Sequence, residues 1–316
     1  MRAVVTGAAG FIGSRLTEVL QAEGAEVSGV DAFTPYYDRA LKESNTEAWR
    51  AAGAPLLELD LRSADLRPVL DGAEVVHHLA AQPGVRASWG AFEDYATHNL
   101  VATQRVLEAA REVGVRRVVV ASSSSVYGNA TSYPTREDDA LRPHSPYGVT
   151  KRAVEDLCRA HVENWGTETV LLRYFTVYGP RQRPDMAFHR LLEAALGGGS
   201  FPLYGDGSAR RDFTYVDDAV AATVAAGTAD LEPGTVLNVA GGDESSMAGI
   251  FDLVADLVGA PVALDRRPAQ PGDVDRTGGD TGRAARLLGY APTVDLRTGL
   301  ERQLAWHRAR SAAAGA

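Results

Sequence analysis

Within its first thirteen residues the chain runs Ala3-Val4-Val5-Thr6-Gly7-Ala8-Ala9-Gly10-Phe11-Ile12-Gly13. An apolar run gives way to three glycines spaced three apart, and a helical pattern to about Gln21 comes next. This is the pattern of a buried strand, a tight turn and a helix. Small residues at Gly7, Gly10 and Gly13 let the backbone approach a pyrophosphate, and the helix start at Phe11 and Ile12 stabilises its charge. Glycines so spaced also serve ordinary turns; the placement between strand and helix points to a dinucleotide. A second strand over 26–30 ends in Asp31, 18 residues past Gly13. A carboxylate there accepts both hydroxyls of an adenosine ribose and repels a 2′-phosphate, so the expected cofactor is NAD and not NADP.

The alternation continues. Strands are expected over 56–59, before Asp60, and over 75–78, before Leu79-Ala80-Ala81. Two more are expected over 117–121, before Ser122 to Ser125, and over 169–173, with long helices over 91–112 and 146–163. Strands alternating with helices imply an α/β fold, a Rossmann-like doubly wound parallel sheet with right-handed crossovers. Ligands of such sheets bind at the carboxyl ends of the strands, where Asp31, Asp60, Ala80 and Ser123 fall. After Phe175 the pattern loosens into Gly- and Pro-rich turns with shorter helices near 188–196, 216–226, 248–258 and 296–309. This half reads as a smaller, interleaved C-terminal substrate-binding α/β domain. The expected division is 1–175 for the NAD-binding domain, with returning segments near 213–240. Residues 176–212 and 241–310 form the substrate domain, and the Ala-rich 311–316 a disordered tail.

A net charge of −9 argues against a nucleic-acid surface. The single cysteine, Cys158, cannot form an internal disulfide, which fits a cytoplasmic setting. The opening reads as a strand and not a signal peptide, and no uncharged apolar stretch is long enough to span a bilayer. No residue is assigned to a metal.

Only Lys42 and Lys151 are lysines, so a lysine at a meaningful spacing is a rare event here. Tyr147-Gly148-Val149-Thr150-Lys151 puts a phenol and an ammonium on one helix face. The ammonium favours the phenolate, a base able to work near neutral pH; the plain alternative is a surface helix pair. Upstream, Ser122 to Ser125 precede Val126-Tyr127-Gly128, and a hydroxyl there can bond both a reacting sugar oxygen and the Tyr147 phenol. Asp60-Leu61 would lie beside an adenine, or Asp60 would cap the segment starting near Ser63.

Taken in order, the glycine motif, Asp31, Leu79-Ala80-Ala81, the Ser-rich Val-Tyr-Gly stretch, Tyr-x-x-x-Lys and Arg211-Asp212-Phe213-Thr214-Tyr215-Val216-Asp217-Asp218 resemble the sugar-nucleotide epimerase/dehydratase family of extended short-chain dehydrogenases. The resemblance covers the chain to about residue 305. It implies that Ser123, Tyr147 and Lys151 are catalytic, with Leu79, Ala80, Ala81 and Asn99 at the cofactor. It implies that Arg211 grips the diphosphate of a UDP-sugar and Asp273 the nucleotide ribose; for Arg211 the alternative is an ion pair with Asp212, Asp217 or Asp218. It further implies a homodimer through a four-helix bundle built from the two long helices.

Family members share oxidation at C4 of the sugar and differ in the fate of the resulting ketone. Dehydratases carry Asp-Glu before Val-Tyr-Gly, and decarboxylating relatives carry Glu there. Here Ser124 and Ser125 stand in those places and offer no carboxyl group, which leaves epimerisation. The stretches 31–38, 82–89, 176–187 and 270–274 resemble the UDP-glucuronate 4-epimerases of the family. Arg86 and Arg183 supply positive charge that a neutral hexose would not need. Arg183 is assigned to the C6 carboxylate, with Thr176, Ser124 and Ser125 adding hydrogen bonds; the alternative for Arg183 is a phosphate contact or an ion pair with Asp185. Departures from the pattern are Arg181-Gln182, Thr277-Gly278-Gly279-Asp280 and a 201–207 stretch closer to neutral-sugar epimerases. A UDP-glucose or UDP-N-acetylhexosamine 4-epimerase is the second reading, and a catalytically silent NAD-binding protein the third.

Overall fold

The computed structural model describes residues 1–242 and 244–314. Its strands are β1 (Arg2–Thr6), β2 (Glu26–Asp31), β3 (Leu56–Glu58), β4 (Val75–His78), β5 (Arg117–Ser123) and β6 (Thr169–Tyr174), then β7 (Thr176–Tyr178) and β8 (Ser200–Tyr204). After them come β9 (Arg210–Tyr215), β10 (Thr235–Val239), β11 (Glu244–Ser246) and β12 (Ala263–Arg267). Seven pair in parallel in the order β10-β6-β5-β4-β1-β2-β3. The remaining strands form a three-stranded sheet, β11-β9-β7, and a β12-β8 pair.

Adjacent valines explain why the main sheet is covered on both faces. Val4 and Val5, like Val75 and Val76, point to opposite sides and join two separate apolar clusters. One face packs against the Phe11–Ala22 and Val216–Thr228 helices, the other against Ala102–Val113 and Pro146–Trp165. Strand order reverses between β1 and β4, which opens a crevice at their carboxyl ends. There the turn after β1 meets the turn after β4: the Leu79 amide donates to the Thr6 carbonyl and the Ala80 amide to the Thr6 hydroxyl, both at 3.2 Å.

Two expectations need correction, and one helix was not expected. The helix expected over 91–112 is a short Phe92–Tyr95 helix, a widened π-type stretch from Ala96 to Val101, and a regular helix from Ala102 to Val113. The widened turn turns Asn99 inward, where it is buried and hydrogen-bonded. The last helix runs Leu296–Ala314, so 311–314 are helical and not disordered, as alanine's helix propensity favours; 315–316 lie outside the described residues. An Arg39–Ala51 helix, capped by Asp38, had no counterpart in the sequence reading. Its buried face is Lys42, Asn45, Thr46 and Trp49, which carries a single large apolar side chain.

No described helix is long and apolar enough to cross a membrane. On β4, the His77 ring is fully buried and neither nitrogen has a partner among the described residues. Burial pushes it down from 6.5 to about 4. Between those values the unfolded chain binds a proton that the folded chain refuses, so stability falls as pH falls through the window. The loss from His77 is on the order of 3 kcal/mol. Urea melts at pH 7 and pH 4.5 should show a smaller acid loss in His77→Leu than in the wild type; equal losses would remove His77 from this account.

Candidate active site

One cavity of about 380 Å³ runs along the carboxyl ends of the strands, from Asp31, Asp60 and Leu61 past Gly7, Gly10 and Gly13 to Ser123, Tyr147, Lys151, Thr176 and Arg183. Its glycine end is tightly built. Gly7 sits at φ +72°, and a side chain there would meet the Ala80 amide at 2.8 Å; a Cβ on Gly13 would lie 2.1 Å from the Gly7 carbonyl. The Gly7 and Ala8 amides donate to the Val30 carbonyl at 2.8 and 3.2 Å, which ties the turn to β2. Asp31 is oriented by two amides, Ala9 at 3.1 Å and Phe33 at 2.8 Å, and retains lone pairs toward the cavity. Phe33 itself adopts φ +48°, a strained conformation beside the site. Asp60 also lines the cavity, while its carboxylate accepts the Arg62 amide and the Arg62 guanidinium. It therefore acts as a local turn brace as well as a cavity wall.

At the other end the Pro146–Trp165 helix starts on Ser145, whose hydroxyl accepts the Gly148 amide at 3.1 Å. Lys151 donates to the Ala121 carbonyl of β5 at 2.8 Å and sits 6.0 Å from the centre of the Tyr147 ring. Burial pushes Lys151 down to about 8, partly countered by Cys158 and Glu155. Burial pushes the Tyr147 phenol up, while the Ser123 hydroxyl and the Arg183 charge pull it back. Farther along the same helix Glu155 meets Arg173 of β6 through bonds of 2.9 and 2.7 Å and accepts the Ser122 hydroxyl. Arg173 also donates to the Tyr127 hydroxyl at 2.7 Å, so Tyr127 belongs to this buried network.

Asn99 does not line the cavity. Its carbonyl oxygen accepts the Gln82 amide at 2.7 Å, and its NH₂ group donates to the Gln82 carbonyl and the Thr150 hydroxyl. It braces the segment that comes after Leu79-Ala80-Ala81 and has spent its polar groups on the protein. Arg183 does line the cavity, and it makes the ion pair that the sequence left open: both Asp185 oxygens are gripped at 3.0 Å. Burial opposes its charge and Asp185 more than offsets this, so its pKa is raised.

Arg86 departs from expectation. Its guanidinium holds Asp273, with bonds of 3.4 and 2.8 Å, and stacks 4.0 Å from the centre of the Tyr204 ring. It is not a wall of the cavity that Tyr147 and Arg183 share, so of that pair only Arg183 brings a guanidinium to the Tyr147 end. Arg211 donates to the Arg210 and Val274 carbonyls. The carboxylates proposed as its ion-pair partners are engaged elsewhere: Asp212 accepts the Gly241 and Gly279 amides, Asp217 accepts from Arg15, and Asp218 accepts from Thr293 and Val294. Burial pushes Arg211 down, countered by Asp273 and Asp275. A guanidinium so placed is suited to an anion.

Several wall residues had escaped the sequence reading: Tyr36, Tyr37, Lys42, Arg62, His98 and Met186. Lys42 had an overlooked signal, being the other lysine of the chain. It is buried, donates to the Thr34 carbonyl at 2.9 Å, and lies 4.9 Å from the centre of the Tyr37 ring.

Residues 3–240 match the NAD dependent epimerase/dehydratase family. A Bacillus subtilis (strain 168) protein described as the uncharacterized UDP-glucose epimerase YtcB is 41% identical over 97% of this chain and 98% of its own. The UDP-glucuronic acid 4-epimerase of Bacillus cereus, solved with UDP-glucuronic acid and NAD, is 39% identical with a TM-score of 0.95, covering 98% of this chain and 100% of that one. MoeE5, solved with UDP-glucose and NAD and also with UDP-glucuronic acid and NAD, is 41% identical with a TM-score of 0.90 over 98% of this chain and 100% of its own. The chain belongs to the NAD dependent epimerase/dehydratase family.

The residues present fit that family's cofactor. The cradle at Gly7 and Gly13 leaves no room for a Cβ, and Asp31 faces the cavity with acceptor capacity to spare. Gly7, Gly10, Phe11, Ile12, Gly13, Asp31 and Leu61 would hold NAD at its adenosine and pyrophosphate end, with Leu79, Ala80, Ala81, Tyr147 and Lys151 farther along. Relieving the Cβ contact in Gly13→Ala requires a backbone shift costing about 1–3 kcal/mol. The variant should therefore retain NAD about tenfold less tightly. Cofactor released on denaturing the purified protein measures this, and undiminished NAD would show that the turn can yield.

Proposed function

We propose that this protein interconverts UDP-glucuronate and UDP-galacturonate through a transient 4-keto sugar. The coarser statement, an NAD-dependent sugar-nucleotide 4-epimerase, rests on its family and its relatives. Bound NAD supplies the reversible two-electron oxidation of C4. Tyr147 takes the C4 hydroxyl proton as a phenolate and gives it back on the return step. Lys151, fixed by the Ala121 carbonyl, stabilises that phenolate while it carries its charge, below about pH 8. Ser123 bonds the reacting oxygen and the phenol. Ser124 and Ser125 supply no carboxyl group for eliminating water, so the ketone is left to be reduced again, on either face.

The observation that carries the choice of sugar is the Arg183 fork. It stands in one cavity wall with Tyr147, Thr176, Ser124 and Ser125, and it already grips a carboxylate with two bonds. Asp185 is exposed and can swing aside, giving up its bond from the Tyr36 hydroxyl, for a substrate carboxylate of the same shape. A 4-keto uronic acid is a β-keto acid, and it loses CO₂ when its C5–C6 bond aligns with the ketone π system. Arg183, with Thr176 and the serine hydroxyls, holds the carboxylate out of that alignment. Arg211 meets the diphosphate, and Asp273, held by Arg86, lies at the nucleotide ribose. Exposed Trp89, Phe92, Val101, Val149 and Trp165, on or beside the two long helical stretches, support a homodimer through a four-helix bundle.

The name of the Bacillus subtilis relative and the UDP-glucose complex of MoeE5 favour a second reading, UDP-glucose. Anomeric-proton NMR with UDP-glucuronate and no added NAD separates the two. UDP-galacturonate without pentose or CO₂ supports the uronate; conversion of UDP-glucose alone, even after NAD is added, would sink it. In Arg183→Ala a lost bidentate charge-assisted pair, about 1.5–3 kcal/mol, should raise KM for UDP-glucuronate roughly 10- to 100-fold and let pentose appear. Unchanged KM and product would take the carboxylate from Arg183. Tyr147→Phe should lose about 10²–10⁴-fold in kcat. Lys151→Met should lose more at pH 7 than at pH 9, because its phenol ionises only at higher pH; a pH-independent deficit would contradict the ammonium's role.

A further inference from the structure

Away from the cavity, the Ala187–Gly197 helix and the last helix, Leu296–Ala314, bring two imidazoles and a carboxylate together. One donor atom from each of His189, Glu193 and His307 lies within 4.8 Å of the others. Both histidines are buried and Glu193 is exposed.

The hydrogen bonds leave this cluster short of positive charge. His189 Nδ1 lies 2.6 Å from the Gln182 carbonyl, which only accepts, so the proton of a neutral ring sits on Nδ1. The Nε2 lone pair then points at a Glu193 carboxylate oxygen 3.0 Å away. Two acceptors at that distance need a second proton or a shared cation. His307 adds an Nε2 atom that is buried and without a partner among the described residues. The two rings meet edge to face with centroids 4.5 Å apart. Arg310 bonds the same Glu193 oxygen and meets part of the demand for charge, but it is a partly exposed side chain that can swing out.

We propose that His189, Glu193 and His307 bind a divalent cation of the zinc class and clasp the last helix onto the rest of the substrate-side half. Two imidazoles and one carboxylate, with water in a fourth position, suit zinc or cobalt; magnesium and calcium favour all-oxygen sets. Zinc–nitrogen bonds of about 2.0–2.1 Å require the donors to draw in around the ion; Glu193, already 3.0 Å from His189, is exposed and free to move, and His307 must close the remaining distance. The Gln182 carbonyl fixes the His189 tautomer, as second partners of metal-bound histidines do. Gln182 also accepts the His189 amide and the Gln303 side chain of the last helix, both at 2.9 Å. The clasp is thus tied to the segment that carries Arg183, where Arg181-Gln182 departs from the family pattern.

The NAD-loaded protein, stripped with a chelator and dialysed, is titrated with Zn²⁺ against a fluorescent competitor, and its melting is followed in parallel. One Zn²⁺ per chain at micromolar affinity or tighter, with a raised Tm and no response to Mg²⁺, is expected. Glu193→Gln should weaken binding by about tenfold or more. Arg310→Ala removes the competing cation and should tighten it. Neither residue belongs to the sugar or NAD site, so epimerase activity is not the readout. No Zn²⁺ uptake at micromolar concentration, or an affinity that neither variant changes, would overturn the proposal.

Discussion

The buried Arg173–Glu155 pair is the contact on which the rest of the site depends. Both side chains are more than nine-tenths buried. Leaving either charge alone would cost about 3–5 kcal/mol. Glu155 lies one turn beyond Lys151, so the pair sets the roll of the helix that presents Tyr147. Through the Ser122 hydroxyl it also holds the end of β5, which presents Ser123. Arg173 reaches Tyr127 and the Glu137 carbonyl, and Tyr127 bonds Asn238 of β10. One ion pair thus joins β5, β6, β10 and the helix that carries Tyr147 and Lys151. Lys151 adds a second tether to β5, and two points between one helix and one strand leave little freedom in how phenol, ammonium and serine hydroxyl face each other.

Burial then sets the electrostatics. It lowers Lys151 to about 8 and raises the Tyr147 phenol, so each group resists carrying charge alone. The charged pair of phenolate and ammonium is the combination that the low-polarity cavity supports best. Arg183 is stabilised differently, with Asp185 offsetting its burial, and this keeps a guanidinium charged beside the phenol. In a chain with a net charge of −9, anion affinity at the site has to come from such individually placed cations.

Residues whose roles follow from local spacing were legible. The glycines, Asp31, Tyr147 and Lys151 owe their positions to a turn, a strand end and one helix face, each readable within a few residues. Asn99 was legible as important, but its bonds to Gln82 and Thr150 were not, because they depend on a widened helical stretch. The pairing of Arg86 with Asp273 was not legible, because the two are distant in sequence. Lys42 stayed unassigned because its helix buries a polar face against Thr34 and Tyr37. His189, Glu193 and His307 lie on helices far apart in sequence, and only packing brings them together.

The sequence by itself determined the α/β alternation, the dinucleotide turn, the phenol–ammonium pair and the lack of carboxyl groups before Val126. These are set by periods of two and of about 3.6 residues and by which side chains can carry a charge. Tertiary structure decided which arginine shares a cavity with Tyr147, which carboxylates are already engaged, and how far burial moves Lys151, Tyr147 and His77. Those quantities depend on neighbours contributed by distant segments and on the solvent they exclude, neither of which a linear order of residues contains.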